Sequence, residues 1–572
     1  MIVVSKKQTK GNNMGKFKLV FLVSALVLVL AACTDDDNVD EEAADNGDAE
    51  TASGGDLTVA IPSDAISMDP HGNNDVPSEQ VRDEIYEPLL TLDDDLELVP
   101  LLAEDWEEID ETTWEFTLRE GVTFHDGSEF NAEVVKANID RLLDPAVASP
   151  RAFLLEAISE VNVIDDYTVE FKLEYAFSPL LNSLTHGAGK MISKDLIDAD
   201  YENALSETGE DMTVEEYYEL RSEGGEAHEE VANTIGNDVS TLIEQEPVGT
   251  NYLQFESRNP GENTVLTKYD DYWGDVSTVD SVTYKVVSET GSRLAELETG
   301  TSDFVVSVQT NNIDRVESND EATLSRSESI SLDYLGFNTS KEPLDDPLVR
   351  QAITHALDKE TVMEGIYNDS GEQAIGPLAP GVIGFSEDIE VLDYDMERAQ
   401  ELLDEAGYSD GFDITLMVQD DNPERIDMAV FLQESLAELN IDVTVEQVEL
   451  GAFLDVTAEG EHDMLVLGWF NFTGGPDNGL APLYHSENFG GSGNRTFFDN
   501  EELDALLDEG RQVSDEAERQ QIYEDAQQLL VDEAASIYIR YGENLHAHNN
   551  NVEGIEVDRF NLFDFREVTF KE

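Results

Sequence analysis

The run Met464-Leu465-Val466-Leu467-Gly468-Trp469 passes without a break into Phe470-Asn471-Phe472-Thr473-Gly474-Gly475-Pro476-Asp477-Asn478. A short apolar run of this kind predicts a strand buried on both faces. The aromatic, glycine-rich and Pro-Asp-Asn stretch after it predicts a loop leaving the strand's carboxyl end. Open α/β sheets hold ligands in the crevice beyond those ends. There Trp469 and Phe472 would supply apolar walls, and the glycines leave backbone N–H and C=O groups open to a ligand. The preceding chain alternates strands (Tyr334–Asn338, Ile414–Val418, Ile441–Val448) with helices (Arg350–Lys359, Arg398–Ala406, Ile426–Leu439). That alternation argues an α/β fold. Asp395 stands where the N-cap of the Arg398 helix belongs, and Gly407 follows its last turn.

The chain has 572 residues, enough for two to four domains. It carries 127 acidic and 32 basic residues, a net charge of −95. The five lysines before Cys33 lie in a stretch with no acid, so from Cys33 onward 27 bases face 127 acids. Such a surface repels nucleic acid and anionic lipid. Hydrophobic content of 40% still supports folded cores.

Lys16 and Lys18 precede 14 uncharged residues, Leu19 to Ala32. That length is short for a membrane span and right for a signal-peptide core. It ends Leu30-Ala31-Ala32-Cys33, which resembles a bacterial lipobox, and Cys33 is the chain's only cysteine. The expectation is a lipoprotein signal peptide over 1–32 (starting at Met1 or Met14), lipid on Cys33, and a disordered acidic tether over 33–55.

Further along, Asp56–Ile61 alternates as a strand, Ser78 is the expected cap of a helix through Tyr86, and Trp114–Leu118 reads as a half-buried strand. Asn131 is the expected cap of Ala132–Leu143. His125-Asp126 reads as a turn whose imidazole satisfies backbone groups. The charge-rich stretch 201–246 reads as a solvated helical excursion, and His546-Ala547-His548 as a solvated strand edge. Catalytic motifs fail at named positions. Gly189-Lys190 has Leu184 where a phosphate-binding loop needs glycine, and Gly490-Gly491-Ser492-Gly493-Asn494 lacks the last glycine of a nucleophile elbow. His228-Glu229 has Ala232 where a zinc-binding helix needs histidine. The expectation is a binding protein with no catalytic residues, no resident metal and no cofactor.

The segment Trp114-Glu-Phe-Thr-Leu-Arg-Glu-Gly-Val-Thr-Phe-His-Asp-Gly-Ser-Glu-Phe-Asn-Ala-Glu133, with Asp140-Arg-Leu-Leu-Asp-Pro145, closely resembles the signature of bacterial extracellular solute-binding proteins of the peptide/nickel class. These are receptor lipoproteins of ABC importers. The resemblance continues through Pro247–Thr250, Asp271–Gly274, Leu335–Thr339, Pro343–Arg350 and the Trp469 segment. It implies a three-domain, two-lobed α/β fold of the periplasmic-binding-protein type. The expected division is a discontinuous hinge domain (56–88, 245–325 and 549–572), a second domain (89–244) and a ligand-binding lobe (326–548). It also implies ABC permease subunits as partners and a monomeric receptor. A peptide-sensing receptor or chaperone on the same fold, or a binder of nickel or a metal chelate, are the alternatives.

Dipeptide-binding members of the family clamp the ligand's termini with an aspartate and an arginine, and those positions here are Phe472 and Gln419. The pattern Trp469-x-x-x-Thr473-Gly474-x-x-Asp477, followed by Asn494-Arg495-Thr496-Phe497-Phe498, resembles the glutathione-binding branch. Glutathione or a short peptide is therefore the expected solute. Trp469, Phe472, Thr473, Asp477 and Gln419 are the expected lining, with Arg425 or Arg495 on a solute carboxylate.

The charge excess generates a prediction. Self-repulsion across a compact surface is relieved by salt, since the Debye length falls to about 3 Å at 1 M. The melting temperature should climb from low salt to molar NaCl; a flat or falling curve would contradict an adaptation to salt.

Overall fold

The computed structural model describes residues 51–571, apart from 53, 74 and 421. The signal segment, Cys33 and nearly all of the tether lie outside the described residues. No described helix is long and apolar enough to cross a membrane.

A long mixed sheet forms the body. Its strands run, in spatial order, Asp442–Val448, Asp413–Gln419, Met464–Phe470, Ala322–Phe337, Ser536–Asn549, Phe304–Val305, Asp56–Ile61, Ser281–Val286, Asn263–Lys268 and Leu253–Asn259. The pairs on either side of Asp413–Gln419 are parallel, as helix-linked connections require. The 16-residue Ala322–Phe337 strand and the 14-residue Ser536–Asn549 strand pair antiparallel along most of their length and join the two ends of the sheet. Helices Pro347–His355, Met396–Ala406 and Pro423–Ala437 bury apolar faces against one end, with Val349, Leu402, Leu403 and Leu432 in its core.

A separate four-stranded antiparallel sheet, ordered Ala103–Asp110, Thr113–Leu118, Thr168–Leu173, Ile158–Asp165, builds the second lobe. Phe116, Val169 and Phe171 point inward with Val135, Ile139 and Leu142 of the Ala132–Leu142 helix. Beyond it, 201–246 is helical as expected. It is less solvated than its charge suggests, because Tyr201 and Tyr217 are buried and both donate to Asp144.

Several local expectations hold in atomic detail. Asn131 accepts from the Glu133 and Val134 amides, Asp395 accepts from the Arg398 amide, and Gly407 closes its helix with φ +88°. The His125 imidazole takes up backbone groups, though of Gly249 and Asn251 across the fold, and burial lowers it to about 4. Other expectations are corrected. Asp75, not Ser78, caps the first helix, Val76–Arg82, because a carboxylate three residues ahead reaches the Ser78 amide; the Ser78 hydroxyl instead receives the Ile66 and Ser67 amides. The expected helix Arg350–Lys359 is two, Pro347–His355 and Lys359–Gly365, each started by its own aspartate cap. Pro476-Asp477-Asn478 opens a helix, with Pro476 in its first turn, where a missing N–H costs nothing. His546 lies on an interior strand, 1% exposed and packed between Phe304 and Phe563, so His546–His548 is no solvated edge.

Buried charge joins the first helix to the second lobe. Glu79, on the first helix, accepts from Arg82 at 2.9 Å, from Arg151 at 2.6 Å and from Lys190 at 2.6 Å. Burial alone would raise this carboxyl, but the three cations outweigh it and hold it well below the usual range. Gly187 is required beside it, since a Cβ would collide with the Arg151 and Glu79 side-chain tips. Glu87 is the opposite case. Its oxygens accept from Trp273 Nε1 and Tyr272 Oη at 2.9 Å and Thr250 Oγ1 at 2.7 Å, with no cation, and burial raises it to about 7.

These two groups predict opposite pH behaviour. Glu79→Gln strands three cations and should cost about 3–5 kcal/mol. Because the folded carboxyl titrates low, that loss should be the same at pH 8 and pH 5, read by denaturant titration; a gap that closes by pH 5 would contradict the assignment. Glu87 ionises later in the folded chain than in the unfolded one, so stability is lost as pH rises from the usual carboxylate value toward 7. Glu87→Gln, whose amide can accept from Trp273 and Thr250 and donate to Tyr272, should raise the melting temperature at pH 8 by a few degrees and change it little at pH 4.5. A larger effect at pH 4.5 than at pH 8 would contradict this.

Candidate functional site

The Met464–Phe470 strand is buried on both faces for its first three residues and half-buried over Leu467–Phe470. Its neighbour Ala322–Phe337 pairs Asp333 with Gly468 and Leu332 with Trp469. At this opening the chain turns sharply. Asn471 Nδ2 donates to the Gly475 carbonyl at 2.9 Å, and the Gly475 amide donates to Thr473 Oγ1 at 3.2 Å. Gly474 adopts φ +65°, and a Cβ there would lie 2.9 Å from Leu92 Cδ1. Positive φ and close packing together call for glycine. The turn is tied to the second lobe, where Asn182 Nδ2 donates to the Thr473 carbonyl at 3.2 Å. Nearby, the Ser178 amide donates to the Arg511 carbonyl at 2.7 Å.

This turn delivers Phe472 to a cavity of about 580 Å³ between the lobes. The Phe472 ring meets His186 edge-on at 6.0 Å, and the imidazole, lowered by burial and then by Arg151, is neutral at neutral pH. Phe560, Tyr252 and Tyr272 add further aromatic wall. The polar wall contains Asp83, Lys190, Asp558 and Arg566. Lys190 is 2% exposed and bridges Glu79 and Asp83, the latter at 2.7 Å. Asp558 accepts the Phe560 and Leu562 amides through one oxygen, and burial raises it to about 7. Volume, mixed apolar and polar lining, and enclosure between lobes are those of a small-molecule site.

Of the residues expected from sequence, Phe472 lines this cavity; the others do not. Thr473 is buried and Trp469 half-buried, and both serve the turn, with Trp469 Nε1 donating to the Asn478 carbonyl at 2.9 Å. Asp477 pairs with Arg511 at 2.5 Å. Gln419 and Arg425 do meet: Arg425 donates to Gln419 Oε1 and to Asp333 Oδ1, each at 3.1 Å. Arg540, directly opposite Asp333 in register, donates to its other oxygen at 2.8 Å. Burial would raise Asp333, but Arg540 and Arg425 hold it below the usual range. Arg495 donates from Nε to Thr457 Oγ1 at 2.9 Å, apart from that cluster.

Sequence reasoning missed His186, Lys190, Asp558 and Phe560. One signal was present. Lysine is scarce here, and Lys190 ends a small-residue run, His186-Gly-Ala-Gly, that allows close packing around it.

A family model described as bacterial extracellular solute-binding proteins, family 5 Middle, matches residues 97–491. The glutathione-binding protein GsiB of Pectobacterium atrosepticum is 29% identical over 522 residues, spanning 90% of this chain and 94% of that protein. GsiB of Escherichia coli K12 is 29% identical over 520 residues, with the same coverage. Among solved structures, the ABC transporter-associated periplasmic binding protein DppA from Helicobacter pylori, in complex with peptide STSA, superposes with a TM-score of 0.73 at 28% identity, covering 91% of this chain and 99% of that one. A dipeptide binding protein from Pseudoalteromonas sp. SM9913, in complex with Met-Leu, gives 0.74 at 25% identity, covering 90% and 100%. The chain belongs to family 5 of the bacterial extracellular solute-binding proteins: an α/β, periplasmic-binding-protein-type receptor and not an enzyme.

Proposed function

We propose that this chain is the extracytoplasmic receptor of an ABC importer, held on the outer face of the cytoplasmic membrane by lipid on Cys33. It captures a short peptide-like solute between its lobes and delivers it to the permease. The observation that carries this reading is the enclosed cavity of about 580 Å³, walled by aromatic rings and charged groups and bridged by lobe-to-lobe contacts at Thr473 and Ser178. The Helicobacter pylori and Pseudoalteromonas proteins are described with peptides, and the GsiB relatives by glutathione, itself a peptide. On this reading 56–88, 245–325 and 549–572 form the hinge, and 89–244 and 326–548 the lobes. Phe472 contacts the solute, while Thr473, Trp469 and Asp477 hold its loop.

Short peptides in excess should stabilise the purified protein by about 2.7 kcal/mol at a hundred times Kd. Phe472→Ala should weaken that binding about tenfold, since truncating a half-buried ring forfeits part of its roughly 1.5–3 kcal/mol. Calorimetry showing unchanged affinity would place the solute elsewhere. For the anchor, Cys33→Ala should release the protein to the medium or leave it unprocessed. A mutant that is processed and fractionates with membranes like the wild type would refute lipidation.

A further inference from the structure

The cavity wall separates into charges that are already matched and charges that are not. All three basic residues lining it are occupied. Lys190 sits between Glu79 and Asp83 at 2.6 and 2.7 Å. Arg326 pairs with Glu543 at 3.0 Å and Glu317 at 3.4 Å. Arg566 is bound to Asp564, its Nε 2.9 Å from Oδ2. The acidic residues are not so matched. Among the described residues, Glu87, Asp94, Glu556 and Asp558 line the cavity with no lysine or arginine within 4.0 Å. Glu87 is served by neutral donors and Asp558 by two backbone amides on one oxygen only. The second Asp558 oxygen has no hydrogen-bond partner among the described residues. Near it lies Asp83, whose carboxylate raises Asp558 further. Phe472 and Phe560 line the same space.

A solute carboxylate entering this cavity would meet no uncommitted cation and several uncommitted carboxylates. A solute cation would meet the reverse, with aromatic rings that add to its binding. We propose that the solute is a short basic peptide whose lysine or arginine side chain is held by Asp558 against the Phe472 and Phe560 rings, with Glu556 and Asp94 drawing it in. This rests on the reading of the interlobe cavity as a peptide site and sets the charge of the peptide it takes. It also sets this chain apart from a receptor for glutathione, which has two carboxylates and one ammonium.

The test is calorimetry on the full-length folded receptor with Ala-Lys-Ala, Ala-Ala-Ala, Ala-Glu-Ala and glutathione, at low and at high salt. Ala-Lys-Ala should bind at least about tenfold tighter than Ala-Ala-Ala, a charged hydrogen bond being worth roughly that factor or more. Ala-Glu-Ala and glutathione should be weaker than Ala-Ala-Ala, and the lysine preference should shrink with salt. In Asp558→Asn the lysine peptide should fall toward the alanine peptide; Asp94→Asn, at an exposed site, should lower the preference less and serves if Asp558→Asn does not fold. Equal affinity for the three tripeptides, a preference for glutathione, or a lysine preference unchanged in both variants would overturn the basic-peptide assignment and leave the peptide reading standing. Failure of every peptide to bind would overturn both.

Discussion

The Glu79 carboxylate, closed in by Arg82, Arg151 and Lys190, is the contact on which the seating of the second lobe against the first helix depends. Glu79 and Arg82 come from the first helix, Arg151 from the segment after the second lobe's helix, and Lys190 from the edge of the cleft. In a protein with 32 bases to 127 acids, committing three cations to one acid runs far above the average of one base to about four acids. A second buried pair close by, Asp69 with Arg141 at 2.5 Å, continues the same pinning toward the second lobe. Buried charges must be paired or pay for their desolvation. Here the pairing leaves the cavity wall beside it short of cations.

That shortage links fold to ligand. Lys190 belongs both to the Glu79 network and to the cavity lining, so the residue that ties the second lobe to the first helix also sets the charge facing the solute. The other end of the sheet solves the same problem differently, with Arg425 and Arg540 sharing Asp333 across neighbouring strands. The cations that do reach the cleft, Lys190, Arg326 and Arg566, are already paired there, and its uncommitted surface is left to carboxylates and aromatic rings.

Much of the architecture was legible in the sequence because it follows from local rules. The apolar run Met464–Trp469 became a sheet strand whose carboxyl end opens toward the cleft, and Asn131, Asp395 and Gly407 do what their residue types favour at helix ends. The signature from Trp114 to Glu133 marked the family. The errors have a local cause in one case and a distant one in the other. Asp75 displaced Ser78 as a cap, and the His546 strand, polar in composition, runs through the interior because Phe304 and Phe563 cover it. The candidate site was only partly legible. Phe472 could be placed from its strand, whereas Lys190 lies 282 residues before it and Asp558 86 residues after it, and they meet it only once the chain has doubled back. Arg425 looked available to a solute because sequence shows charge and not its partners; the structure pairs it with Asp333, while Arg495 donates to the neutral Thr457 hydroxyl.

Amide hydrogen exchange, with and without a saturating short peptide, locates the solute most directly. If the interlobe cavity is the site, protection should rise together in residues 83–94, 186–190, 472–475 and 556–566, which come from both lobes and the hinge and surround one space. Protection confined to 307–311, 422–427 and 540–546, around the separate groove lined by Thr310, Glu424 and Arg540, would contradict the account.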